Sequence, residues 1–356
     1  MIPTNPSVHD PLRFAVPAAS IQTDRLLRFP LRLADRPLVV PGQRVELGQP
    51  IIEHFREQEA LEIPTTAAIV GLRPGDFLDH VPVSQSSRLG RKSPQATYRT
   101  RVCEHGRDGL TRLAAGSGEI IIHAPASGVV ETVLPGRIDI RADGLAVDAQ
   151  VGWGRPAVGR IVIAADAPDA ELPASRIDVS AAGAILVAGV RLDLEAMSRA
   201  RAIGVTAVIT GGVASRHLRQ LGSSEARQQA ALHAAAPFGL LAMTGYGRLP
   251  IPAHLWDLLV AAAGRPAGIH PGSRTLIIGG DPRPLQAAAT RPRGTVRVRS
   301  GEGRDMEGRL VGLAGPRRWP GGVYAPGGFI EVTAADGSTQ RRCVPLSTLE
   351  RLDQVG

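Results

Sequence analysis

Four residues within the stretch GPRRWPGGVYAPGG carry chemistry that their types alone suggest: Arg317, Arg318, Trp319 and Tyr324. Guanidinium groups fork onto phosphate oxygens, and aromatic faces stack on bases. Cation beside aromatic is therefore the composition of a nucleic-acid contact. The same composition caps small β-barrels, so a structural use stands beside the binding one. Upstream, Arg297 and Arg299 in GTVRVRSGEG extend the cationic surface. From Arg291 to Asp353 there are eleven arginines against seven acids, a mild local excess of positive charge.

A second set lies where apolar runs end in glycine. VTAVITGG ends at Thr210, Gly211 and Gly212, and FGLLAMTGYG carries Thr244, Gly245 and Gly247. Glycines at the carboxyl ends of strands let backbone amides approach a phosphate or carboxylate. They are equally ordinary turn residues. No G-x-G-x-x-G opens a helix after the first such strand, and no G-x-x-x-x-G-K-[ST] occurs.

Other chemistries lack their residues. The nine histidines form no H-x-x-x-H or H-E-x-x-H array, and no serine lies in a G-x-S-x-G elbow. His54, His80, His217 and His233 are each isolated and read as surface or satisfied core. Cys103 and Cys343 are far apart and make neither a metal site nor a disulfide framework, which fits a reducing cytoplasm. No catalytic residue, metal ligand or cofactor is assigned, and the balance leans against an enzyme. An active site assembled from distant residues would escape such a reading.

Those residues need elements to position them. A chain of 356 residues suits two or three domains. It is 43% hydrophobic but only 3% aromatic, so its cores must be built from Ala, Val, Leu and Ile. Its 41 basic residues include a single lysine, Lys92, and the net charge is +8. A GC-rich coding sequence or a thermophilic habit explains arginine over lysine as readily as an anionic partner does. The opening MIPTNPSVHDPLRFAVPAAS has no charged start followed by an apolar run, so no signal peptide is expected. No window approaches the ~18 consecutive apolar residues of a membrane-spanning helix.

After an N-terminal extension (1–23), the first segment, 24–167, is read as all-β from short apolar runs broken by Pro and Gly. Pro41-Gly42, Pro74-Gly75-Asp76, Ser127-Gly128 and Pro135-Gly136 reverse the chain, so that Val129, Val130, Val133, Ile138 and Ile140 line a small core. VVPGQRVELGQPIIE and HAPASGVVETV resemble the barrel-sandwich hybrid fold of biotinyl and lipoyl domains. They are similar to the sandwich near the start of the C subunit of Rnf-type electron-transport complexes. A carrier of that fold needs a lysine at a hairpin tip, and none lies here. The cysteine runs that would bind iron–sulfur clusters are also missing. The resemblance thus implies a structural or docking module. Within it, 86–112 holds seven Arg/Lys against two acids and reads as an exposed basic insertion, either solvated or touching an anion.

The second segment, 177–280, alternates strand and helix. GAILVAGV is a buried strand. LDLEAMSRARAIG is a helix with Leu192, Ala196, Ala200 and Ile203 on one face, acids at its start and Gly204 at its end. VTAVITGGV is the next strand, SSEARQQAALHAAA a helix, FGLLAMTGYG a strand, PAHLWDLLVAAAG a helix and SRTLIIGG a last strand. This predicts a small parallel α/β domain. AILVAG and GVTAVITGG resemble the DRTGG-type regulatory domain.

The third segment, 291–356, holds short strands and an Asp336-Gly337 hairpin turn. Val296, Val298, Leu310, Val311, Ile330, Val332 and Val344 alternate as one inward face. GTVRVRSGEGRDMEGRLVGL resembles a KOW motif, whose glycine at the turn before the second strand would be Gly308, and VPLSTLERL is similar to the segment closing such SH3-like barrels. That family binds RNA and docks protein partners.

The expected fold is multidomain α+β: a barrel-sandwich β domain, a small parallel α/β domain and a C-terminal SH3-like barrel. The expected function is a non-enzymatic cytoplasmic adaptor whose C-terminal barrel binds RNA or a protein complex, with no sequence-specific DNA binding. One alternative is a small-anion or nucleotide-binding enzyme or regulator using the glycine-rich strand ends. Another is a subunit of a larger redox or membrane-associated complex. The sequence leaves the oligomeric state open.

Overall fold

The structure is a computed structural model and describes residues 16–18, 21–65, 67–82, 97–220, 238–333 and 337–355. Strands dominate it, and they form four sheets among the described residues. The expected helix over 223–236, His233, Lys92 and Asp336 lie outside them.

The largest sheet has nine strands. Its centre is parallel: Ala157–Ile163, Ala184–Val187, Ala207–Val213 and Gly239–Tyr246 run side by side. Their residues are apolar almost without a break because both faces are covered. Ile185 and Val187 face one core, which the helices Ala253–Ala261 and Arg283–Ala289 close. Ala184, Leu186 and Ala188 face the other, under the helix Leu194–Ile203. That helix is fixed at both ends as its residues dictate. The Asp193 carboxylate accepts from the Ala196 amide at 2.7 Å, and Gly204 stops the helix at φ 93°.

The sheet is mixed rather than purely parallel. Pro266–His270 and Thr275–Ile278 form an antiparallel hairpin on one side, and Val151–Gly154 pairs antiparallel with Gly239–Tyr246 on the other. Leu145–Asp148, Val151–Gly154 and Ala157–Ile163 all belong to this sheet, although the sequence groups them with the first segment. Short apolar runs carry no label saying which sheet they enter. The N-terminal extension also pairs: Ile21–Gln22 forms one edge of the nine strands, and Val16–Ala18 runs parallel to Leu349–Val355 of the C-terminal sheet.

A four-stranded sheet joins Arg25–Pro30, Arg137–Ala142, Gly128–Leu134 and Arg44–Val45. Val130, Ile138 and Ile140 fill its core and Val133 packs against it, but Val129 is exposed. Val129 follows Gly128 on the outward side of the strand, as the two-residue period requires.

The five-stranded sheet holds the second correction. The basic stretch 86–112 is not a surface loop where it is described: Thr97–His105 is a strand paired with Leu110–His123 and with Phe77–Pro82. Arg101 is fully buried. It donates to the Ala34 carbonyl at 2.6 Å, lies 2.9 Å from the Glu53 carboxylate, and stacks over the Phe77 ring at 4.2 Å.

His270 marks the seam between the four-stranded sheet and the nine. It is 4% exposed and sits edge-on to Phe29, with ring centroids 4.5 Å apart. Its Nδ1 accepts from the Ser273 amide at 3.0 Å. Burial disfavours the imidazolium and lowers the pKa from 6.5 to about 4. The unfolded chain then binds a proton, as pH falls through 6.5, that the native state refuses until about 4. Stability should therefore be lost as pH falls across that window, by at most about 3 kcal/mol. Urea unfolding at pH 7 and pH 4.5 should show a smaller acid loss in His270→Asn, which keeps an acceptor for Ser273 but cannot titrate.

Candidate functional site

The C-terminal sheet runs Leu349–Val355, Thr295–Val298, Glu307–Arg318, Tyr324–Thr333 and Thr339–Pro345, with Val16–Ala18 at its edge. Val296, Val298, Leu310, Ile330 and Val344 are buried together, while Val311 is only partly covered and lies outside that cluster. Thr333 pairs with Thr339 across the hairpin that contains Gly337.

The longest hairpin ends in the sequence-selected residues. Arg317 pairs across it with Ala325, and Arg318 with Tyr324. Gly321 and Gly322 both take left-handed φ at its tip, a turn that other residues would strain. Trp319 is half-buried. Its Nε1 donates to the Ala325 carbonyl at 2.9 Å, and its ring lies over Gly327, where an added Cβ would come within 2.9 Å. The indole thus anchors the hairpin. The Arg317 guanidinium sits 5.5 Å from its centroid. Tyr324 is 73% exposed.

Among the described residues no acid pairs with Arg317 or Arg318. Arg309 and Arg341, by contrast, share Glu331 at 3.1 and 3.2 Å, and their hydrogen bonds hold its carboxyl below the ordinary range. Two unneutralised guanidinium groups and an exposed phenol ring therefore lie at the end of one hairpin whose turn a half-buried indole fixes, Arg318 and Tyr324 as a cross-strand pair and Arg317 on the opposite face beside the indole.

Arg297 and Arg299 lie elsewhere. Arg297 is buried between Glu350 at 3.0 Å and Asp305 at 3.6 Å, because its strand position lies opposite Glu350. Arg299 is exposed where that strand ends.

The glycine-rich strand ends are covered by their own chain. The Thr210 hydroxyl donates to the Gly189 and Gly212 carbonyls, and the Thr244 hydroxyl to the Pro250 carbonyl at 2.7 Å. A Cβ on Gly211 would meet the Leu249 carbonyl at 2.1 Å, and one on Gly212 the Gly247 carbonyl at 2.3 Å. The segment 247–251 lies on these glycines, so close packing accounts for them without a ligand. Gly245 takes a φ of +133° and leaves room for Arg304, which donates to the Thr244 carbonyl.

His54 is held at both ring nitrogens, with Asp35 2.5 Å from Nδ1 and Arg32 3.1 Å from Nε2. Among the described residues no group of three or more His, Cys, Asp or Glu is arranged to hold a metal ion, and no helix is long and apolar enough to cross a membrane. No family model and no curated protein matches the chain.

Proposed function

We propose that the protein is a non-enzymatic binding protein whose C-terminal sheet, an SH3-like barrel of the KOW type, holds single-stranded RNA on the Arg317–Tyr324 hairpin. The four-stranded sheet, a barrel-sandwich hybrid without a carrier lysine, serves as a structural module. The observation that carries the reading is the exposed pairing of Arg318 with Tyr324 next to Arg317, with no acid among the described residues to neutralise either guanidinium. Bases stack on an exposed ring at about 1–3 kcal/mol each, and arginines grip the flanking phosphates. Five consecutive antiparallel strands around one apolar core support the barrel reading.

Fluorescence anisotropy with a labelled single-stranded RNA, titrated across a salt series, tests it. Binding should weaken as salt rises, and Arg317→Ala with Arg318→Ala should reduce the salt slope by roughly one to two units. Tyr324→Ala should weaken binding with little change in slope. An RNA that fails to bind even at low salt would overturn the reading and leave protein docking as the use of the hairpin.

A further inference from the structure

The loop 299–306 of the C-terminal sheet folds over the end of Gly239–Tyr246, and a cavity of about 400 Å³ lies beneath it. Five arginines line it: Arg25, Arg274, Arg297, Arg299 and Arg304. Three carboxylates face them, so two positive charges are left over. Arg25 takes Asp148 at 3.2 Å. Arg297 takes Glu350, and Arg304 shares Asp305 with it at 3.7 Å. The excess falls on Arg274, whose guanidinium donates to the Gln150 carbonyl at 3.4 Å and forms no ion pair among the described residues, and on Arg299, which has no acid within reach among the described residues.

A further observation points to a ligand here. Among the described residues only Asp24, Arg274 and Asp305 take left-handed φ without being glycine. Two of them line the cavity, and the third precedes Arg25. Aspartate tolerates that conformation, but arginine at φ 59° does not gain by it. Strain of this kind persists where the surroundings impose a side-chain position, and it gathers at ligand sites. Burial also raises the Asp148 and Asp305 carboxyls despite the arginines beside them, so they compete weakly with an incoming anion.

We propose that this cavity binds a phosphate monoester of mononucleotide size, its phosphate held by Arg274 and Arg299. A phosphate monoester carries close to two negative charges at neutral pH, which matches the excess. Its oxygens accept several guanidinium N–H groups at once. The volume exceeds that of phosphate alone and falls in the range of small-ligand sites. Met243 and Ala149 give the rest of the ligand an apolar wall. The site is separate from the hairpin proposed to carry RNA and does not depend on it.

Isothermal titration of the full chain with adenosine 5′-monophosphate tests the proposal, with adenosine and succinate as comparison ligands. The monophosphate should bind, and adenosine and succinate should bind at least about tenfold more weakly, as loss of the phosphate contacts requires. Arg274→Gly with Arg299→Ala should abolish that binding. Glycine accepts the φ at 274 and residue 299 is exposed, so this variant should melt no lower than the wild type, which separates lost binding from lost folding. Arg317→Ala with Arg318→Ala should bind the monophosphate normally. No binding of the monophosphate, equal binding of succinate, or unchanged binding by the 274/299 variant would overturn the proposal.

Discussion

Arg101→Ala should destabilise the five-stranded sheet by about 3–5 kcal/mol, the usual consequence of removing one partner of a buried ion pair. The guanidinium has no access to solvent. It neutralises Glu53, itself 8% exposed, and it is sandwiched against Phe77 and Phe55 at 4.2 and 5.4 Å. Alanine would leave a buried carboxylate uncompensated, the Ala34 carbonyl without its donor, and a void between two rings. Charge and volume can be separated. Arg101→Met fills the space but strands Glu53, so it should still be costly. Adding Glu53→Gln should recover much of the loss, since a buried pair is often replaceable when both charges go. Chemical denaturation of the three variants gives the comparison. A loss below about 1 kcal/mol in Arg101→Ala, the range of an exposed pair, would place Arg101 in solvent. The same geometry means that removing residues 97–112 would take out a paired strand rather than trim a loop.

Gly268→Ala should cost about 3 kcal/mol or more, at the upper end for overpacking. Gly268 lies in Pro266–His270, a strand hydrogen-bonded on both edges. A Cβ there would come within 2.0 Å of the Pro125 carbonyl oxygen. Pro125 belongs to the turn that carries Ala124 and Ala126 into the core of the four-stranded sheet. Backbone faces backbone, so no side chain can swing away. The strand cannot retreat without breaking a ladder, and the turn cannot rise without opening the apolar seam at Phe29 and Ile277. Gly315→Ala provides the control, because nothing lies within 4 Å of an added Cβ there and its effect should stay within the ±0.5 kcal/mol of ordinary surface changes. Equal melting temperatures for the two variants would mean that the turn is not seated on the sheet.

The local elements are legible from the residues alone. The run of Ile185 to Val187, the helix between Asp193 and Gly204, and the alternation of Val296 and Val298 each rest on periodicity and capping, which act over a few residues. The sequence also selected Arg317, Arg318 and Tyr324, because the tip of one hairpin keeps sequence neighbours together in space. It could not assign the strands between Leu145 and Ile163 to their sheet, since short apolar runs pair equally well with many partners until the whole sheet is assembled. Arg101 was illegible for the same reason. An arginine in a basic, polar stretch is solvated unless a carboxylate and two rings from distant segments close on it, and Glu53, Phe55 and Phe77 come from two other strands. Only the tertiary structure joins Arg25, Arg274 and Arg299 around one cavity. Arg25 is far from the other two along the chain, and what gathers the three is the docking of one sheet's loop on another sheet's edge, a packing event that leaves no spacing to read.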